Sequence, residues 1–219
     1  MTETKKRVAL ILSGCGFEDG AEIHESVLTM LALDLNGADY KCFAPDITQA
    51  MVYDHYKKQE AKETRNVLVE SARIARGDIA PMTEFDSKQF DALILPGGFG
   101  AASSLCTFAS DGPNCTVNSD VQKAIEEMRK DEKPIGALCI APVILAKVIT
   151  GTKVTIGNAK PVADAITAMG SKHQNIGHGE IVIDDLNRIV TTPCYMLESS
   201  ISQVAEGATN LVKAVLKMS

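Results

Sequence analysis

Short, continuous apolar runs alternate along the chain with longer segments whose apolar positions recur every three or four residues. Val8–Leu12, Tyr40–Ala44, Ala92–Leu95, Ile135–Leu138 and Val154–Ile156 read as strands. Most of these runs lack the polar alternation of a half-exposed strand, so they suit strands covered on both faces. Ala21–Asn36 (ending at Gly37), Asn66–Ala75 (ending at Gly77) and Ser119–Lys130 (capped by Asn118 or Ser119) read as helices. So do Ile140–Val148, Pro161–Met169 and Leu197–Lys217. Ile181–Asp184 and Ile189–Thr192 flank the polar turn Asp185–Arg188 and predict a hairpin. The polar stretch Gln49–Lys62 has no clear period and reads as a local insertion. Strand–helix alternation of this kind predicts a three-layer α/β/α sandwich around a mostly parallel sheet. No repeat or Pro/Gly/Ser-rich linker divides the chain, so one domain is expected over residues 1–219.

Composition narrows the range of functions. With 28 acidic against 22 basic residues, the formal net charge is −6, a poor match for nucleic acid or an anionic membrane. The apolar run after Lys5-Lys6-Arg7 ends at Ser13, too short for a secretory signal, and no segment approaches a membrane span. The acidic balance and the early strand also speak against a transit peptide. Six cysteines show neither a C-x-x-C pair nor metal-ligand spacing, so a zinc site is not expected. Reduced thiols suggest a cytoplasmic location.

In a parallel α/β sheet, sites form beyond the carboxyl ends of the strands. Three such turns carry unusual residues. In Ile135-Gly136-Ala137-Leu138-Cys139-Ile140-Ala141-Pro142 a buried strand passes straight into a helix, with Cys139 at the corner. A thiol there sits in a nucleophile elbow, where the helix N-terminus favours the thiolate and the Ile140 N–H faces an oxyanion. The bland alternative is a buried cysteine ending a strand. Leu95-Pro96-Gly97-Gly98-Phe99-Gly100 lets backbone N–H groups approach a ligand, either as a shared oxyanion hole or simply as a tight turn. Ser13–Glu25 opens the first helix, and Glu22 and Glu25 share one of its faces while His24 points elsewhere. A carboxyl beside a thiol in a dry pocket shuttles protons, whereas the same residues in a plain helix only complement its dipole. Cys15, in the first strand-end loop, is a second-rank thiol candidate. His55, His173 and His178 lie in polar segments and read as solvated.

Together, Ala137–Pro142, Leu95–Ala102 and Gly20–Glu25 resemble the ThiJ/PfpI superfamily, whose fold is the flavodoxin-like, class I glutamine amidotransferase-like sandwich. Within it the chain is most similar to the enhancing-lycopene-biosynthesis (ElbB) group, the isoprenoid-biosynthesis glyoxalases. Further matching stretches are Ser13–Gly16, Thr64–Leu68, Ser71–Gly77, Thr191–Pro193 and Tyr195–Leu197. The resemblance implies a cofactor-independent glyoxalase that converts glyoxal or methylglyoxal to a hydroxy acid, with protein deglycation as another outcome of the same chemistry. It implies Cys139 as nucleophile, Glu25 rather than Glu22 as its partner because Glu25-Ser26-Val27 fills the family pattern, and Gly98 beside Ile140 at the oxyanion site. It also implies a small dicarbonyl substrate and a homodimer.

Two departures stand out. Deglycase relatives carry a histidine after the strand that follows the elbow, where this chain has Gly157, and ElbB-like chains usually have a lysine where this one has Ser103. The missing histidine keeps open a thiol-based redox sensor or binding protein. The His178-Gly179-Glu180 pattern keeps open an amidotransferase-type hydrolase.

Overall fold

The computed structural model describes residues 5–219; the first four residues of the expected domain lie outside the described residues. In chain order the first half runs β1 (Arg7–Ile11), α1 (Ile23–Leu35), β2 (Asp39–Ala44), β3 (Tyr53–Asp54), β4 (Gln59–Glu60), α2 (Val67–Ile74), β5 (Ile79–Pro81) and β6 (Ala92–Leu95). Next come α3 (Phe99–Ser103), α4 (Phe108–Asp111), α5 (Ser119–Lys130), β7 (Ile135–Leu138) and α6 (Pro142–Val148). The chain closes with β8 (Lys153–Val154), α7 (Lys160–Ala168), β9 (Lys172–His173), β10 (Val182–Asp184), β11 (Ile189–Thr192) and α8 (Ile201–Met218).

Seven strands form the central sheet in the order β10-β11-β7-β6-β1-β2-β5, parallel throughout except for the antiparallel hairpin β10–β11. The chain steps outward from β1 through β2 to β5, then returns to β6 on the other side of β1. Right-handed crossovers turn that reversal into layers, with α1 on one face and α5 and α6 on the other. α8 packs against α1, completing the three-layer α/β/α arrangement. The strand ends on either side of the reversal belong to β1 and β6, with β7 next in line, so the site predicted from the turns has its frame here.

The core follows from the runs that marked the strands. Val8–Ile11, Ala92–Leu95 and Ile135, Ala137 and Leu138 are all essentially without solvent exposure. α5 buries Val121, Ala124, Ile125 and Met128, an i, i+3, i+4, i+7 stripe, and is capped by Asn118, whose side chain accepts from the N–H groups of Asp120 and Val121. α8 buries Val204, Ala208, Leu211, Val212 and Val215 in the same manner.

Several boundaries differ from the sequence reading, each for a local reason. α8 starts at Ile201 rather than Leu197, because Ser200 and Gln203 form a capping box there. The helix after the elbow starts at Pro142 rather than Ile140, since Cys139 holds a φ of 60° that no helix continues. The insertion at Gln49–Lys62 contains the small hairpin β3–β4. The expected strand Val154–Ile156 shrinks to β8, which pairs with β9 outside the main sheet.

Hydrogen bonds to side chains replace a ladder in holding that outlying segment. The buried Asp184 carboxylate accepts from Thr152 Oγ1 at 3.0 Å, Lys153 N at 2.7 Å and Asn187 Nδ2 at 2.9 Å, while Thr191 Oγ1 accepts from Thr155 N at 2.9 Å. Burial alone would raise the Asp184 pKa, but the bonds from Asn187, Lys153 and Thr152 outweigh it and hold the carboxyl below its ordinary range. Asp184→Ala is expected to cost about 1–3 kcal/mol, because it leaves buried donors unpaired. Urea unfolding checks this, and the difference from wild type should shrink in acid as the carboxylate protonates.

Candidate active site

The elbow is built by a backbone that only tight surroundings maintain. Cys139 lies in the left-handed region, which costs a non-glycine residue about 1–3 kcal/mol. Its N–H donates to Thr192 O at 2.9 Å, extending the β7–β11 pairing by one residue, and Ala141 N–H turns back to Leu138 O at 3.0 Å. The thiol is thereby lifted off the sheet axis, and the N–H groups of Gly98 and Ile140 both point at its sulfur.

Glu25 reaches the sulfur from the first turn of α1. Glu22 is the N-cap of that helix, its Oε2 accepting from Glu25 N at 2.6 Å. Glu22 thus has the dipole-complementing role that was the bland alternative for both carboxylates. Glu25 itself is completely buried. Its Oε1 accepts from Tyr195 N and its Oε2 from Gly97 N, each at 3.1 Å, and the carboxyl is hydrogen-bonded to the Cys139 thiol. Gly97 is wedged between the two: a Cβ there would lie 2.3 Å from Cys139 Cβ and 2.6 Å from Glu25 Oε2. Gly98 follows with a φ of 97°, and a Cβ on it would strike the backbone of Gly20 and Glu22 at 2.3 Å. The Gly-Gly pair is therefore the only sequence that lets the loop after β6 pass this close to both partners.

The electrostatics correct the expectation of an ionised thiol. Burial pushes the Glu25 carboxyl up to about 8, with the nearby Glu22 charge adding to the rise and the Tyr195, Cys139 and Gly97 hydrogen bonds opposing it. Burial and the neighbouring Glu25 also raise the Cys139 thiol well above its ordinary value. The helix that was to favour the thiolate begins three residues beyond the sulfur, with a proline that has no N–H to offer. At neutral pH the pair is predominantly a carboxylic acid beside a thiol.

Cys139 is 7% exposed and opens onto a cavity of about 450 Å³. Phe17, Phe99, Phe108, Val162 and Met196 give it apolar walls, Glu18, Glu22 and Tyr195 its polar groups, and among the described residues no lysine or arginine lines it. Of the residues singled out in the sequence, Cys139, Glu22, Gly98 and Ile140 line this space, with Glu25 directly behind the sulfur. Cys15 does not. It is half-buried on the far side of its loop, where Glu70, Arg73, Asp19 and Arg65 act on it, and burial raises its thiol. His24 does not turn away from the site as expected: its Nδ1 is 2.8 Å from Tyr195 Oη and 4.0 Å from Glu22 Oε1. His178 is bonded to Ser199 Oγ at 2.8 Å and lines a different cavity with Glu180, so it does not serve the elbow.

Both departures from the family pattern have structural counterparts. A Cβ on Gly157 would meet Leu197 Cδ2 at 2.8 Å and Pro193 Cβ at 3.1 Å, so these apolar side chains occupy the room a histidine would need. Ser103 Oγ closes onto Phe99 O at 3.0 Å.

Three contributors were missed. Tyr195, which supplies both a cavity wall and an N–H to Glu25, stands just past β11, where the Pro193-Cys194-Tyr195 turn was the available signal. Cys194, in a left-handed turn, is buried close enough for Glu25 and Cys139 to add to the rise in its pKa that burial begins. The insertion shapes the site from outside: His55 Nε2 accepts from Glu18 N at 3.3 Å, and Asp19 Oδ2 accepts from Tyr53 N at 2.8 Å. His55 is exposed, as expected, and also packs edge-on against Phe17 of the cavity wall.

Comparison with known proteins places the chain by family and by fold. The ES1 protein homolog, mitochondrial, of Rattus norvegicus is 45% identical over 98% of this chain and 84% of that protein. The crystal structure of an isoprenoid biosynthesis protein with an amidotransferase-like domain from Ehrlichia chaffeensis is 38% identical. It superposes with a TM-score of 0.89 over 96% of this chain and 99% of that one. Glyoxalase III from Candida albicans shares the fold, at 16% identity and a TM-score of 0.64 over 97% of both chains. The cytoplasmic expectation is corrected by the full-length mitochondrial relative, since free thiols report a reducing compartment and not which membrane encloses it. The match to the DJ-1/PfpI family runs over residues 7–193, and the chain belongs to that family.

Proposed function

We propose that the protein is a cofactor-independent glyoxalase acting on glyoxal or methylglyoxal in a mitochondrial setting. The observation that carries this reading is the hydrogen-bonded Glu25–Cys139 pair, with a fully buried carboxyl, at a cavity with apolar walls. As the sulfur adds to the aldehyde carbon, the Glu25 carboxylate takes the thiol proton and the new oxyanion accepts from Gly98 and Ile140, each such donor contributing about 2.7–4 kcal/mol. Protonated Glu25 then returns the proton to that oxygen, giving a hemithioacetal. Removal of the C–H proton and its delivery to the neighbouring carbon carry this through an enediol to a thioester. Water releases the hydroxy acid and restores the thiol. The net change is addition of one water, so no external oxidant or reductant enters.

The absence of lysine and arginine from the cavity walls supports a neutral dicarbonyl over an anionic substrate. The alternatives draw less support. His178 and Glu180 face another cavity, away from a hydrolase role at Cys139. At Cys139 the neighbouring Glu25 adds to the rise that burial gives the thiol, with no basic side chain to oppose it, which counts against a sensor at this residue.

Incubation with glyoxal or methylglyoxal in the absence of glutathione tests the reading. Wild-type protein should form glycolate or lactate, Cys139→Ala none, and Glu25→Gln about 10²-fold less or lower. Hydroxy-acid formation by Cys139→Ala would exclude the mechanism. Because the active pair must have lost one proton, kcat/KM should rise with pH through a midpoint of about 8 and level off above it, and Glu25→Gln should lack this dependence.

The same carboxyl leaves a signature in stability. Its folded value of about 8 lies above its ordinary 4.5, so between those limits the folded chain binds the extra proton. Its contribution is complete below about pH 4.5 and is lost as pH rises through 8. Urea unfolding should therefore show wild type losing more stability between pH 5 and 8 than Glu25→Gln does; parallel curves would mean that Glu25 ionises as an ordinary carboxyl.

A further inference from the structure

Two buried thiols outside the elbow lie side by side. The chain folds back on itself after α3: Cys106 bridges Val117 in antiparallel fashion, Thr107 N–H donates to Thr116 O at 2.9 Å, and Asn118 N–H donates to Leu105 O at 2.8 Å. Thr116 N–H also reaches Thr107 Oγ1 at 3.0 Å. This clamp sets Cys115 against Cys106, and their thiols are in hydrogen-bond contact. Cys106 also donates through sulfur to Ala101 O at 3.3 Å, tying it to the helix that follows Gly98. The cover over them is thin, since neither α4 nor the turn Gly112–Asn114 contains a buried residue. Phe108 and Ala109, within the same loop, line the Cys139 cavity.

We propose that Cys106 and Cys115 form a reversible intramolecular disulfide on the wall of the cavity, a redox site separate from Cys139, with a hydroperoxide as the oxidant. Cys115 attacks first. Lys147 Nζ is anchored on Pro113 O at 3.1 Å, and its charge opposes the rise that burial gives the Cys115 thiol, whereas burial takes Cys106 up to about 12. The Cys115 thiolate breaks the O–O bond and becomes a sulfenic acid as hydroxide leaves and takes up a proton. The Cys106 thiol then displaces water from that sulfur, forming the S–S bond. Two thiols lose two electrons, and hydrogen peroxide becomes two waters. The bond closes a ring around Thr107–Asn114 and removes the Cys106 donor from Ala101, so both the α3 and α4 walls of the cavity feel it.

The sequence makes the test direct. Trypsin releases residues 89–123 as one peptide whose only cysteines are Cys106 and Cys115. Folded protein treated with hydrogen peroxide, quenched with iodoacetamide and digested should yield this peptide unalkylated and lighter by two hydrogen atoms, about 2 Da. Dithiothreitol should restore two alkylatable thiols. The disulfide should form equally in Cys139→Ala and be lost in Cys106→Ser and in Cys115→Ser. The proposal is overturned if both thiols remain alkylatable at peroxide levels that oxidise Cys139, if either joins a different cysteine, or if the bond fails to form in Cys139→Ala. The wild-type peptide mass decides the matter even if a serine variant does not fold.

Discussion

The site depends on keeping a fully buried carboxyl in contact with a thiol that opens onto a cavity. Glu25 has no solvent exposure, and both of its oxygens are held by backbone N–H groups from loops that follow different strands, β6 and β11. A wetter carboxyl would fall back to its ordinary pKa and hold the proton too weakly to return it to a substrate oxygen. Dryness in turn demands close approach, which is why Gly97 stands between the partners with no room for a side chain. The left-handed Cys139 and the buried acid both oppose folding. The apolar core of β1, β6 and β7 holds them in place.

Much of this was legible in the chain because the informative residues obey local rules. Unbroken apolar runs marked β1, β6 and β7, and an apolar strand running straight into a helix marked the elbow. Elements whose stability comes from elsewhere left no such trace. β5 is three residues long, β3–β4 lies in a polar stretch, and β8 is held by Asp184 and Thr191 rather than by a pattern of its own. Tyr195 is distant in sequence from Glu25 and meets it only through β11 and the turn that follows.

The protonation state was the least legible feature. Spacing shows that a helix follows Cys139, but not that Pro142 removes a donor, nor that the acid facing the sulfur is itself dry. Cys15 shows the same limit from the other side. It occupies a strand-end loop as the elbow does, yet the loop curls back on Gly20 and sends the thiol toward Glu70 and Arg73. Which way a loop points is set by packing partners far along the chain.

The missing histidine follows from the same packing. Leu197 and Pro193 fill the space beside Gly157, so the elbow has no imidazole to take the thiol proton and hold it as a cation. The Nδ1 of His24 is engaged by Tyr195 Oη and not by the sulfur. On the proposed mechanism a single carboxyl then acts first as base and later as acid at the same atoms. An ordinary glutamate is too weak a base for the first step, and a much more basic group would not release the proton in the second. A carboxyl brought by burial to about 8 lies close to the operating pH, where a single group divides both tasks most evenly. On the proposed glyoxalase reading, desolvation of Glu25 is therefore what would let this elbow turn over without a histidine.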